Sequence, residues 1–157
     1  MPALPPFQVL LDEHAPAVLR FLCGRLRHAD AEDCFQETFL AALSAYPSLR
    51  DARNLRAWLL TIARNKAADV HRRDSRVALS GDTVEDVIDP GSVAEPGADR
   101  DLWTEVDGLP PKQRDAVTLR FRADSSYTDI AAVMATSEEA ARRNVHEGIK
   151  KLRRGST

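Results

Sequence analysis

Apolar residues recur at helical spacing in two stretches of this chain, separated by a polar, acid-rich segment. Phe7, Leu10 and Leu11 start a first helix, and Pro16 suits the first turn of a second, in which Val18, Leu19, Leu22 and Leu26 keep the 3.6-residue period. A third helix is predicted after Asp30, a favourable N-cap followed by Glu32 and Asp33 in the first turn. Its core stripe is Phe35, Phe39, Ala42, Leu43 and Tyr46, and Pro47 ends it. A fourth runs from about Asn54 to Arg73, with Leu55, Trp58, Leu59, Ile62 and Val70 on one side.

In the second stretch, Leu102, Trp103 and Val106 predict a short helix, and Pro111 opens another through Val117 and Phe121. Ser126 with Asp129 three residues on resembles a capping box, with Asp in place of the usual Glu, and starts a helix to Met134. After the turn Ala135-Thr136-Ser137, a last helix capped by Ser137 ends near Arg154. No convincing strand and no internal repeat emerge, so both halves are expected to be all-α. At 157 residues and 43% hydrophobic, the chain can bury one modest core or two small ones, not a large enzyme domain.

Charge divides the chain further. The net charge is −2, so nothing global points to nucleic acid, but residues 50–76 carry 8 basic against 3 acidic residues and residues 139–154 carry 6 against 2. Between them, residues 80–101 hold 7 acids against one Arg, together with glycines and prolines, and read as a mobile acidic linker. An almost neutral protein thus carries two cationic surfaces on either side of an anionic tether, whose acids are expected to compete with DNA for them.

The stretch from Ser126 to Lys151 has the layout of a helix-turn-helix. On its second helix Ala141, Val145, Ile149 and Leu152 point to the core, whereas Glu139, Arg143, His146, Glu147, Lys150 and Arg154 project outward. This face suits a major groove: Arg donates two bonds to guanine, Asn144 reads adenine if it points outward, and Thr136 or Ser137 holds a phosphate. In the fourth helix Arg53, Leu60, Arg64 and His71 share a stripe opposite the apolar one, with Arg72 beside it, suited to backbone phosphates. Lys66 falls on the apolar side. The loop from Tyr46 to Asn54 could hold an unstacked base, although Tyr46 and Trp58 lie in phase with the core and suit a scaffold role. On the third helix, Asp33, Gln36, Glu37, Leu40 and Ser44 form an acidic, amide-bearing stripe, either plain solvent face or a dock for a cationic partner.

Other classes have little support. The N-terminus lacks a cationic, apolar leader, and no apolar run is long enough to span a membrane, so a cytoplasmic protein without membrane insertion is expected. Cys23 and Cys34 suit reduced thiols, and with His14 and His28 they match no zinc spacing; no metal and no cofactor are expected. A hydrolase built on Asp69 and His71 is disfavoured because the two side chains leave different helix faces. One reading these features allow is a helix-turn-helix regulator that binds duplex DNA on its own.

The motifs strongly resemble a known family. DAEDCFQETFLAAL at 30–43 and LRAWLLTIARNKAADVHRR at 55–73 look like region two of the extracytoplasmic-function (group IV) sigma factors of bacterial RNA polymerase. LPPKQRDAVTLRF at 109–121 with SYTDIAAVMATSEEAARRNVHEGIKKLR at 126–153 looks like their region four. The resemblance implies an all-α protein: a region-two bundle at 1–76, a flexible acidic linker at 77–101, and a region-four helix-turn-helix domain at 102–157. It implies a promoter-specificity subunit, not an enzyme, that binds core polymerase at the clamp helices of the largest subunit and the flap of the second-largest, and binds promoter DNA. An anti-sigma partner is implied in the same way.

By that resemblance Asp33, Gln36, Glu37 and Leu40 meet core polymerase. Arg50, Arg53, Asn54, Arg64, Asn65, Asp69, His71, Arg72 and Arg73 serve the minus-ten DNA. Thr136, Ser137, Glu139, Arg142, Arg143, Asn144, His146 and Lys150 serve the minus-thirty-five element. Two positions depart from the family: Ala135 stands where Gly is common in the turn, at a strain of about 1 kcal/mol if φ is positive, and Ala141 stands where Val or Ile is common.

Overall fold

Among residues 4–50, 53–79 and 104–155, which the computed structural model describes, every regular element is helical. The first half contains α1 (Phe7–Arg25), α2 (His28–Ala45) and α3 (Leu55–Leu79), with a 3-10 turn at Tyr46–Ser48 that closes α2. One helical turn at 104–107 precedes α4 (Pro111–Phe121), α5 (Tyr127–Met134) and α6 (Glu138–Gly155). The acidic linker, Leu102 and Trp103 lie outside the described residues, although α3 continues through positions 77–79 assigned to that linker.

Local chemistry sets most boundaries. Pro111 occupies the first turn of α4, where its missing N–H is not needed. The Ser126 hydroxyl accepts the Asp129 N–H at 3.1 Å and the Ser137 hydroxyl accepts the Ala140 N–H at 3.0 Å, so α5 and α6 begin where expected. At the start of α3, Asn54 Oδ1 accepts the Ala57 N–H at 3.1 Å.

Several expectations are corrected. Pro16 does not start a second helix but lies inside the single helix α1: one backbone bond is lost, while Leu10, Val18, Phe21 and Leu22, buried on both sides of it, hold the rod together. Asp30 is not an N-cap; α2 begins at His28 and places Asp30 in its first turn. Leu43, assigned to the core stripe, is 51% exposed.

The two halves do not stand apart. One cluster of buried side chains joins Val18, Phe21 and Leu59 of the first half to Leu119, Ile130 and Val145 of the second. Leu60, on the stripe predicted to face outward, is fully buried in that cluster. Gly24 lets α1 approach α4 closely: a Cβ there would lie 3.0 Å from Thr118 Cγ2 and 3.1 Å from Arg122 Cγ. Within the second half, a Cβ on Gly148 would come within 2.7 Å of Val117 Cγ2, so only glycine lets α6 sit on α4 at this distance.

Candidate nucleic-acid interface

α5 and α6 form the helix-turn-helix. Ala135 sits in the turn with φ 52° and ψ 50°, the left-handed conformation usually given to glycine, and its N–H reaches the carbonyls of Ala131 and Ala132 to close α5. Ala141 and Val145 face inward, fully buried, while Glu139, Arg142, Arg143, His146 and Lys150 are exposed along the other side of α6. Thr136 and Ser137 are exposed at its start, and Asn144 is half-buried. Arg142 is less available than its exposure implies. Its guanidinium lies 4.9 Å from the centre of the Tyr127 ring, which Arg120 approaches at 4.5 Å, so this residue ties α6 to α5.

On α2, Asp33, Gln36, Glu37 and Leu40 are all exposed. Leu40 is 64% exposed and Leu43 one turn on adds to it, leaving an apolar strip within an acidic, amide-bearing face. Such a mixed face is suited to a protein partner. Behind it, Cys34 is buried, and burial pushes its thiol up to about 11.

α3 divides its predicted DNA-binding residues between two environments. Asn65, Asp69, Arg72 and Arg73 are exposed, with Asp69 paired to Arg72. Arg50 and Arg53 are exposed beside the start of the helix. Arg64 and Asn54 instead reach across to the second half: Arg64 Nε donates to Asp115 Oδ2 at 2.8 Å, and Asn54 Nδ2 donates to Asp129 Oδ1 at 2.7 Å. His71 is half-buried; burial, reinforced by Arg25 and Arg114, pushes its imidazole below the usual histidine range. Tyr46 is buried, its hydroxyl donating to the Pro5 carbonyl and its ring centre 6.3 Å from that of Trp58, as a scaffold role requires.

Residues absent from the predicted site complete this clasp. Asp115 is buried on α4 between Arg64 and Arg25, whose Nε lies 2.8 Å from Asp115 Oδ1. Burial draws the Arg25 pKa down and Asp115 opposes that. Arg20 Nε donates to the Arg122 carbonyl at 2.9 Å and its guanidinium pairs with Asp124 at 3.7 Å, while Arg56 donates to the Ala123 carbonyl. A sequence signal existed: Arg25 lies one turn beyond Phe21 and Asp115 one turn before Leu119, so opposite charges ride in phase with two buried stripes.

Sequence comparison matches two family models to the two halves, Sigma-70 region 2 over residues 10–77 and Sigma-70, region 4 over residues 99–152. The chain is 35% identical over 152 residues to the RNA polymerase sigma factor CarQ of Myxococcus xanthus, covering 94% of this chain and 87% of the relative. It is also 35% identical over 158 residues to the ECF RNA polymerase sigma factor BldN of Streptomyces coelicolor, covering 94% of this chain and 59% of that longer protein. Among solved structures, the sigma factor RpoE of Bartonella quintana, in complex with the anti-sigma factor NepR, superimposes with a TM-score of 0.78 at 27% identity over 94% of each chain. CnrH, solved with the cytosolic domain of CnrY, shares the fold at a TM-score of 0.71 and 24% identity, covering 93% of this chain and 84% of that one. With region-two and region-four halves in that order and a relative matched along nearly its whole length, the chain belongs to the extracytoplasmic-function group of the sigma-70 family of RNA polymerase sigma factors.

Proposed function

We propose that this sigma factor docks the α2 face of Asp33, Gln36, Glu37 and Leu40 on the clamp helices of core polymerase, and sets its second half against the flap. Residues 50–54 and the α3 side chains Arg64, Asn65, Asp69, His71, Arg72 and Arg73 then hold the parted minus-ten strand. The α6 face of Glu139, Arg143, Asn144, His146 and Lys150 reads the intact minus-thirty-five duplex, with Thr136 and Ser137 on its phosphates and Arg142 bracing the helix. Catalysis belongs to the polymerase; the sigma factor contributes binding energy to strand opening, which costs a few kcal/mol per flipped base.

The observation that carries this reading is that α2 and α6, on different halves, each leave a polar face uncovered, whereas Arg64 of α3 and Asn54 at its start are engaged by the second half. Because Arg64 and Asn54 are held by the second half, minus-ten engagement through them requires the halves to separate. Core binding supplies the energy to separate them. The family models support the division into residues 1–76, the 77–101 connection and 102–157, and the likeness to a sigma factor solved with NepR supports an anti-sigma partner. The site of action is the cytoplasm, with the polymerase.

Transcription by purified core polymerase from a promoter library tests this function. Initiation only with the sigma factor present, from templates sharing a minus-ten and a minus-thirty-five element, supports it. Duplex DNA binding with no initiation would favour a stand-alone helix-turn-helix regulator.

A further inference from the structure

We propose that the cleft between the two halves is a binding site for a small phosphate-bearing anion, gripped jointly by Arg64, Lys112 and Arg143. The cleft has a volume of about 280 Å³ and these three cations line it from three elements: α3 in the first half, the first turn of α4, and α6. Among the described residues, no carboxylate lines it. Arg64 commits Nε to Asp115, which leaves its terminal N–H groups for a ligand. Lys112 and Arg143 are both exposed beside it.

Three like charges brought to one cleft repel one another, and an anion seated between them converts that repulsion into attraction. The forked guanidinium groups match phosphate oxygens, and the lysine adds a point charge. Thr136 supplies a hydroxyl and Asn144 an amide, while Met134 and Ala140 give the cleft an apolar side. Its volume lies just below the usual ~300–1,000 Å³ for small-molecule sites, which favours a compact anion over a large cofactor.

The site is complete only when the halves are together, since Arg64 comes from one and Lys112 and Arg143 from the other. A ligand that binds it therefore favours the closed arrangement by mass action. It also occupies Arg143 and Asn144, and so competes with minus-thirty-five DNA; this last consequence rests on the promoter reading above, whereas binding itself does not.

Pyrophosphate titrated into the full chain, followed by backbone amide NMR, tests the site. Saturable shifts confined to residues lining the cleft are expected, with affinity at least tenfold weaker in Lys112→Glu and retained in Lys112→Arg. No saturable shift, or unchanged affinity in Lys112→Glu, overturns the proposal. So does equal response to sulfate at the same concentrations, which marks an adventitious ion only. If Lys112→Glu weakens duplex DNA binding while pyrophosphate does not bind, the cations serve the DNA backbone and the proposal falls. Cleft binding by a chain that fails to direct initiation would support the anion site while removing the promoter reading.

Discussion

Arg25 and Asp115, ninety positions apart in the chain, lie 2.8 Å from each other with side chains only 4% and 8% exposed, and their pairing clasps the two halves of the protein together. Arg64 takes the other carboxylate oxygen, also at 2.8 Å. Removing the carboxylate takes its 2.8 Å counter-charge from the buried Arg25 guanidinium, a defect that typically costs about 3–5 kcal/mol. Asp115→Ala is therefore expected to destabilise the protein by about 3 kcal/mol in urea unfolding, and to enlarge its radius in solution scattering. A loss below about 1 kcal/mol with an unchanged radius would mean that the clasp does not hold the halves.

Ala135 provides an independent check on the helix-turn-helix. Its left-handed backbone, φ 52°, crowds the Cβ against the neighbouring carbonyl, at about 1–2 kcal/mol for a non-glycine residue. Ala135→Gly removes this strain, and with the extra freedom glycine gives the unfolded chain subtracted, a gain of about 1 kcal/mol is expected. Ala135→Val should move stability the other way. Chemical denaturation of the two variants measures both signs.

Acid should loosen the fold through two half-buried histidines. Burial lowers the pKa of His71, with Arg25 and Arg114 adding to the effect; burial likewise lowers that of His14. The unfolded chain consequently takes up protons first as pH falls through about 6.5, so this part of the stability is complete above that pH and declines below it. His71→Gln is expected to flatten the stability profile between pH 6.5 and 5. An unchanged slope would show that His71 is not held neutral in the folded protein.

Binding to polymerase should separate from folding on α2. Asp33 and Glu37 are exposed, one turn apart, and substitutions at such surface positions usually change stability by less than about 0.5 kcal/mol. Asp33→Lys with Glu37→Lys is expected to weaken association with core polymerase at least tenfold with little change in unfolding. Unaltered association would move the polymerase contact off this face.

The ends of several helices were legible because single residues define them. Ser126 and Ser137 accept the N–H groups they were expected to accept, and Pro111 opens α4. Pro16 misled because a local rule about proline does not count the apolar contacts on both sides that carry α1 through it. The exposed faces of α2 and α6 were legible, because there the uncovered face is also the polar face. On α3 exposure was legible for Asn65, Asp69, Arg72 and Arg73 but not for Arg64. Periodicity identifies a second face without saying whether another part of the chain covers it, and Leu60 among Arg53, Arg64 and His71 was the only trace that something does. The Arg25–Asp115 pair was harder still, since a buried charge in one helix has meaning only once its distant partner is known.

The central claim is that the closed clasp and promoter opening use the same side chains and exclude each other. Arg20 and Asp124 form a 3.7 Å pair across the two halves, so Arg20→Cys with Asp124→Cys, in a Cys23→Ser background, can be joined by a reducible thiol crosslinker. Crosslinked protein should fail to direct initiation by core polymerase and recover when reduced. Full initiation by the crosslinked form would contradict the account.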